Sequence, residues 1–278
     1  MTQPAPNPSP VTMWSASSWA TWKMCPFKWK LKAEKWGRPR SKTDTRMAVH
    51  AMPGLVVDRL FELWLHRREF QDFAWLEANF SMVWNLVESR QKPKWQHEAE
   101  TAYVQRQTWR SVGILFDLLH KHRLLNAEMG IQTDYHEEIA TGISIAGAID
   151  LWTILPNGKL LVVDFKNAGS NSRRSVDQLH FGALALGRLL GREPDEAAYV
   201  CFHPQCAGYR KVILRDCDRK KLLARLARAT EARKAGTCPA KYSAFSCPRW
   251  CEVRFACPTF LARIKSKNSS AEQRASGG

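Results

Sequence analysis

The spacing of apolar and polar positions changes several times along the chain, and each change marks an element. From Met13 to Lys35 apolar residues recur at helical intervals, with Ser15 to Ser18 offering N-caps and Pro26 interrupting the run. Residues 46 to 125 keep a helical period with charged faces, which predicts three or four helices with a break at Pro93. From Asp134 the period shortens, and β-rich segments run to Lys166. Helical spacing returns over 175–190, a strand pair is expected at 197–203 and 208–215, and 217–235 reads as a basic amphipathic helix. No internal repeat interrupts this order. It predicts an α/β core, its sheet largely buried on both faces, with a helical insertion at 46–130.

One stretch breaks the pattern. In GAIDLWTILPNGKLLVVDFKNAG, residues 147 to 169, two apolar runs flank a turn, yet Asp150, Asp164 and Lys166 sit within or at the ends of them. Burying unpaired ions costs several kcal/mol each, on the order of magnitude seen in proteins. The turn decides whether the aspartates meet. Pro156-Asn157-Gly158 suits a three-residue loop, which pairs Leu155 with Lys159 and sets Asp150 opposite Asp164. A two-residue Asn-Gly loop would instead pair Asp150 with Phe165. Two carboxylates face to face call for a shared proton or a cation, and Mg²⁺ or Mn²⁺ takes oxygen ligands of this kind. The plainer alternative is a strand-end Asp–Lys ion pair beside an unrelated aspartate.

Composition adds a partner class. The 278 residues carry 42 Lys plus Arg against 26 Asp plus Glu, a net charge of +16, which favours a polyanion such as nucleic acid. The Pro-rich start, residues 1–12, has no signal-peptide core, and no apolar run approaches a membrane span. A cytoplasmic location without membrane contact is therefore expected, with reduced thiols and disordered ends at 1–12 and 263–278 around one domain, 13–262. No P-loop motif accompanies it. Lys221, Arg225 and Arg228 share one helical face, which either solvent or DNA would suit. Nine basic residues from Lys23 to Arg46 interleave with Trp29 and Trp36. Trp22, Trp29 and Trp36 recur every seven residues, a stripe that stacks on bases or fills a core.

GAID, then DFK with its Asp fourteen positions on, then a helix opening QLHFGALAL resembles the PD-(D/E)XK nuclease superfamily in its RecB-type branch. The resemblance implies a restriction-endonuclease-like core over 134–235, a mixed sheet flanked by helices. It implies catalytic roles for Asp150, Asp164, Lys166 and Gln178. It also implies a metal held by Asp150, Asp164, the Phe165 backbone carbonyl and an upstream His in a G-x-x-x-H pattern. RMAVH offers His50, with Arg46 in the Gly position and Pro53 expected to break the helix close behind. Phe181 stands where the branch carries Tyr, and Glu137 or Glu138 fits a further acidic position. The branch implies a metal-dependent DNA exonuclease acting on single strands or ends in repair or recombination, with a helicase or recombination protein as partner. The competing reading is a non-catalytic nucleic-acid-binding protein.

The eight cysteines include CPRWCEVRFAC, which spaces Cys247, Cys251 and Cys257 as C-x3-C-x5-C, and a distant Cys25 before Pro26. Four thiolates suit tetrahedral zinc or a cubane cluster, and both remain open on spacing alone. The layout resembles that of AddB-like and CRISPR-associated RecB-like exonucleases. There an N-terminal Cys and a C-terminal trio hold a 4Fe–4S cluster that clasps the two helical ends. Cys201, Cys206, Cys217 and Cys238 match no such pattern and are expected to pack.

Overall fold

The computed structural model describes residues 12–33, 44–67, 72–126, 128–167, 176–244, 246–251, 253–264 and 266. The proposed disordered ends, save Thr12, Arg263, Ile264 and Ser266, lie outside them, as does Trp36. The elements follow the order β1 (Thr12–Trp14), α1 (Ala16–Met24), α2 (Pro26–Ala33), α3 (Asp44–His66), α4 (Phe73–Gln91) and α5 (Glu98–Lys121). Then come β2 (Met129–Ala140), β3 (Ile143–Ile154), β4 (Leu160–Lys166), α6 (Val176–Leu189), β5 (Glu196–Cys201), β6 (Gly208–Val212), α7 (Asp216–Lys234) and α8 (Ser246–Trp250). Two compact units result: Met1–Met13 with Arg40–Leu222, and Trp14–Pro39 with Leu223–Gly278.

In the first unit a six-stranded sheet runs β1-β3-β4-β5-β6, with β2 also paired to β3. β4 and β5 are parallel, with α6 making the crossover between them, while β2–β3, β3–β4 and β5–β6 are antiparallel. Every residue of β4 before Lys166 is buried, because helices cover both faces. Leu161, Val163 and Phe165 join a core with Val56, Leu60 and Trp64 of α3 and with residues of α4 and α5. Val162 points the other way, towards Gly182 of α6, where an added Cβ would lie 3.2 Å from its Cγ2.

Two local expectations change. Pro53 lies inside α3 without ending it. Proline removes one intrahelical hydrogen bond, but Val49, Met52, Val56 and Val57 are all buried around it, and their packing holds the helix together. The leader also contributes a strand, Thr12–Trp14, whose Thr12 N–H donates to the Gly142 carbonyl at 3.3 Å.

The second unit has an indole core. Trp14 packs against Trp19, Trp22 and Trp29 with ring centroids 5.7, 5.4 and 5.3 Å away, and its Nε1 donates to Thr230 Oγ1 at 3.0 Å. Trp22 and Trp29 are buried, so these two members of the stripe are packing and present no stacking platform.

Candidate active site

The turn forms as its residues require. Leu155 N donates to the Lys159 carbonyl and Gly158 N to the Leu155 carbonyl, both at 2.8 Å, and Gly158 takes φ +77°. The register runs from Ile154↔Leu160 to Leu151↔Val163, as the three-residue loop dictates. It stops one pair short of the aspartates. Asp150 instead turns its Oδ2 onto the Phe165 N–H at 2.7 Å. The direct Asp150–Asp164 cross-strand pair is thus replaced by a carboxylate capping the neighbouring strand, which relieves the repulsion of like charges set face to face.

Lys166 Nζ lies 2.5 Å from Asp164 Oδ2 and donates to Gln178 Oε1 at 2.9 Å. Gln178 reaches it from the first turn of α6. The four residues read from the motif therefore converge at the end of β4. Asp164 is buried and its Oδ2 has no aligned hydrogen-bond donor, so the ammonium meets it as a bare ion pair. Phe181, one turn along α6, is fully buried and packs as hydrocarbon.

A third carboxylate enters from α3. Asp58 is pushed up to about 7, first by burial and then by the charge of Asp150, with Asp164 adding to it and Lys166 opposing. Asp164 is likewise pushed up to about 7 by burial and by Asp150. Burial also raises Asp150, against the Phe165 N–H, Lys166 and the Gln132 side chain. Sequence reading passed over Asp58, although a signal was present. Gly54 stands four residues before it, and a Cβ there would lie 3.8 Å from Asn167 Cβ, just past Lys166. GLVVD thus has the spacing of the G-x-x-x-H pattern with Asp in the His place. His50, two turns before Asp58 on α3, is exposed. Glu138 is exposed and accepts from Gly142 N at 2.8 Å, so it serves the β2–β3 turn, while Glu137 is half-buried.

In the second unit three of the four singled-out thiols are neighbours. Lys28 N and Lys241 N point at Cys25 Sγ at 3.5 and 3.4 Å, and Ser243 N points at Cys247 Sγ at 3.2 Å. Cys251 accepts from the Val253 backbone N–H and feels the charges of Lys28, Cys247 and Cys25; burial holds its thiol above the usual range. Cys257 is buried. Among the described residues no three Asp, Glu, His or Cys side chains are close enough to form a ready-made metal cage. None of their helices is long and apolar enough to cross a membrane.

The family model of the PD-(D/E)XK nuclease superfamily matches residues 13–258, and the chain belongs to that superfamily. No curated protein matches the chain. A solved structure, titled crystal structure of SSO0001, is similar to it at 18% identity over 58% of this chain and 79% of the other, with a TM-score of 0.34. So loose a likeness carries no argument.

Proposed function

We propose that the chain is a divalent-metal-dependent DNA nuclease, working as an exonuclease on single strands or DNA ends. The observation that carries this reading is the meeting of Asp150, Asp164, Lys166 and Gln178 at the end of β4, with Asp58 of α3 within electrostatic reach of them. Superfamily membership supports the hydrolysis of phosphodiesters, and members typically use a divalent ion. The donor set fits Mg²⁺ or Mn²⁺, since all its donors are hard oxygens and one buried carboxylate oxygen lacks an aligned donor. When bound, the ion supplies charge stabilisation for the pentavalent phosphate and lowers the pKa of water.

Asp150 and Asp164 would hold the ion, with the Phe165 carbonyl as a further oxygen, and Asp58, which feels the charges of Asp150 and Asp164, would serve as the helix ligand in place of the exposed His50. Lys166 orients the attacking water towards phosphorus, and Gln178 accepts a hydrogen bond from the ammonium and so fixes its direction beside Asp164. Hydrolysis forms one P–O bond to water and breaks one ester P–O bond. The net charge of +16 supports binding of the polyanion through its phosphates, and a helicase or recombination protein would present the strand.

The same reading gives Cys25, Cys247, Cys251 and Cys257 to a 4Fe–4S cluster. Backbone N–H groups aimed at three of these sulfurs support it, because such donors stabilise metal-bound thiolates. A structural Zn²⁺ would use the same thiols. The test combines Mn²⁺-dependent cleavage of an end-labelled single strand with the same strand circularised. Loss of the linear strand alone marks an exonuclease, cutting of both marks an endonuclease, and binding without cleavage refutes the nuclease reading.

A further inference from the structure

Asp150 occupies an unusual place in its sheet. The β2–β3 ladder passes from Ile131↔Leu151 to Thr133↔Ile149 and skips the pair between them, Gln132 and Asp150. The β3–β4 ladder ends at Leu151. Asp150 therefore has a backbone ladder partner on neither side, and its carboxylate bridges the gap. It accepts the Phe165 N–H from β4, and the Gln132 side chain on β2 lies near enough to favour its charged form.

Gln132 reaches that carboxylate at a conformational cost. Its φ is +43°, the left-handed region, in the middle of a strand whose register is unchanged on either side. No insertion accounts for the kink. A non-glycine residue stays in such a conformation only when its surroundings over-determine it, and such residues cluster at functional sites. The surroundings here are explicit. The Trp152 indole lies across β2, its Nε1 donating to Thr133 Oγ1 at 3.1 Å. It also fills the space a side chain at Gly130 would need. One indole thus clasps the strand on both sides of Gln132.

We infer that Gln132 is a positioning residue for the metal-binding carboxylate: the Trp152 clasp holds it in a strained conformation so that its amide fixes Asp150 from the side opposite Phe165. This rests on the proposed metal site, and nothing in the nuclease motif requires a glutamine at this position. Outer-shell hydrogen bonds of this type orient a ligand before the ion arrives.

Two variants separate strain from positioning. Gln132→Gly removes the amide and relieves the left-handed backbone; Gln132→Leu removes the amide and keeps the strain. Mn²⁺ binding to each full-length protein is measured by calorimetry, and melting temperature is measured without divalent ions. Both variants should bind Mn²⁺ at least about tenfold more weakly than wild type. The glycine variant should melt at or above the wild-type temperature. Wild-type Mn²⁺ affinity in Gln132→Gly would overturn the positioning role, and a lower melting temperature for that variant would overturn the strain. A wild-type protein that takes up no Mn²⁺ would remove the metal site itself, and this role with it.

Discussion

The two units each gather groups that resist burial, and they treat them in opposite ways. At the end of β4, three carboxylates and one lysine come together with few protein donors, and two of the carboxyls are pushed up to about 7. In the second unit, three sulfurs each receive a backbone N–H beside an indole core. The first arrangement leaves electrostatic demand for an outside cation to meet. The second has most of its hydrogen bonding already in place, as suits a ligand set that never lets go of its ion. Hard oxygens with unmet demand suit an exchangeable ion; soft sulfurs with satisfied surroundings suit a resident one.

The sharpest way to break this contrast is to remove charges from the first region. Asp164→Ala, Asp150→Ala and Lys166→Ala should each lower Mn²⁺-dependent cleavage by about a thousandfold, the upper range for losing one preorganised electrostatic contact. DNA binding should survive in gel-shift assays and weaken steeply with salt, because each variant leaves the strongly basic balance of the chain, +16 in the wild type, to attract the phosphates. Near-normal cleavage by Asp164→Ala would move the active site away from β4.

The proposed cysteine-bound ion is tested next. Cys251→Ser should abolish any visible iron absorbance and lower the melting temperature together, since ligation contributes folding energy. Cys25→Ser should do the same from the other end of the sequence. Iron and sulfide analysis of anaerobic protein decides the ion: stoichiometric zinc without iron would make this a structural zinc site. Cys201→Ser should change neither reading, since Cys201 faces Cys206, with their sulfurs 2.9 Å apart, and belongs to the first unit.

A smaller effect should appear in the pH dependence of stability. Asp58 and Asp164 have folded values of about 7 against an ordinary 3.8, so between these values the folded state binds more protons than the unfolded one. Stability of the metal-free protein should therefore be greatest near pH 4 and fall as pH rises through 7. Thermal melts across that window should show the decline, and saturating Mn²⁺ should flatten it, because a cation replaces the missing protons. Asp164→Asn should make it shallower without metal, leaving the part that Asp58 contributes. An unchanged slope in that variant would mean the carboxylate is better solvated than its burial implies.

Much of the candidate-site hairpin was legible because its determinants are local. Pro156, Asn157 and Gly158 specify the loop, the loop specifies the register, and the register brings the DFK residues towards Asp150. The end of that register was less legible, since it depends on how Asp150 is met by β2 and β4 together. The β1 strand was missed because three residues carry no periodicity and its support comes from Gly142. Asp58 was missed for a related reason: a lone aspartate on an amphipathic helix looks like a solvated face until the helix is docked against β4. The helix continued through Pro53 because its buried residues outweigh one lost hydrogen bond.

The smallest predicted effect decides which residue of α3 serves the site. His50 and Asp58 lie two turns apart on one helix, and the family pattern had pointed to the histidine. His50 is exposed, whereas Asp58 is electrostatically joined to Asp150, Asp164 and Lys166, with Gly54 giving α3 its close approach to Asn167. Asp58→Ala should weaken Mn²⁺ binding and cleavage by about ten- to a hundredfold, the range for a residue that supports a metal site. His50→Ala should stay within about threefold of wild type in both, as substitutions at exposed positions usually do. Parallel Mn²⁺ titrations of the two variants make the comparison, with circular dichroism to confirm that α3 is intact in each. If His50→Ala proved the more damaging, α3 would have to turn or shift on binding metal, and the carboxylate at position 58 would be a half-buried spectator.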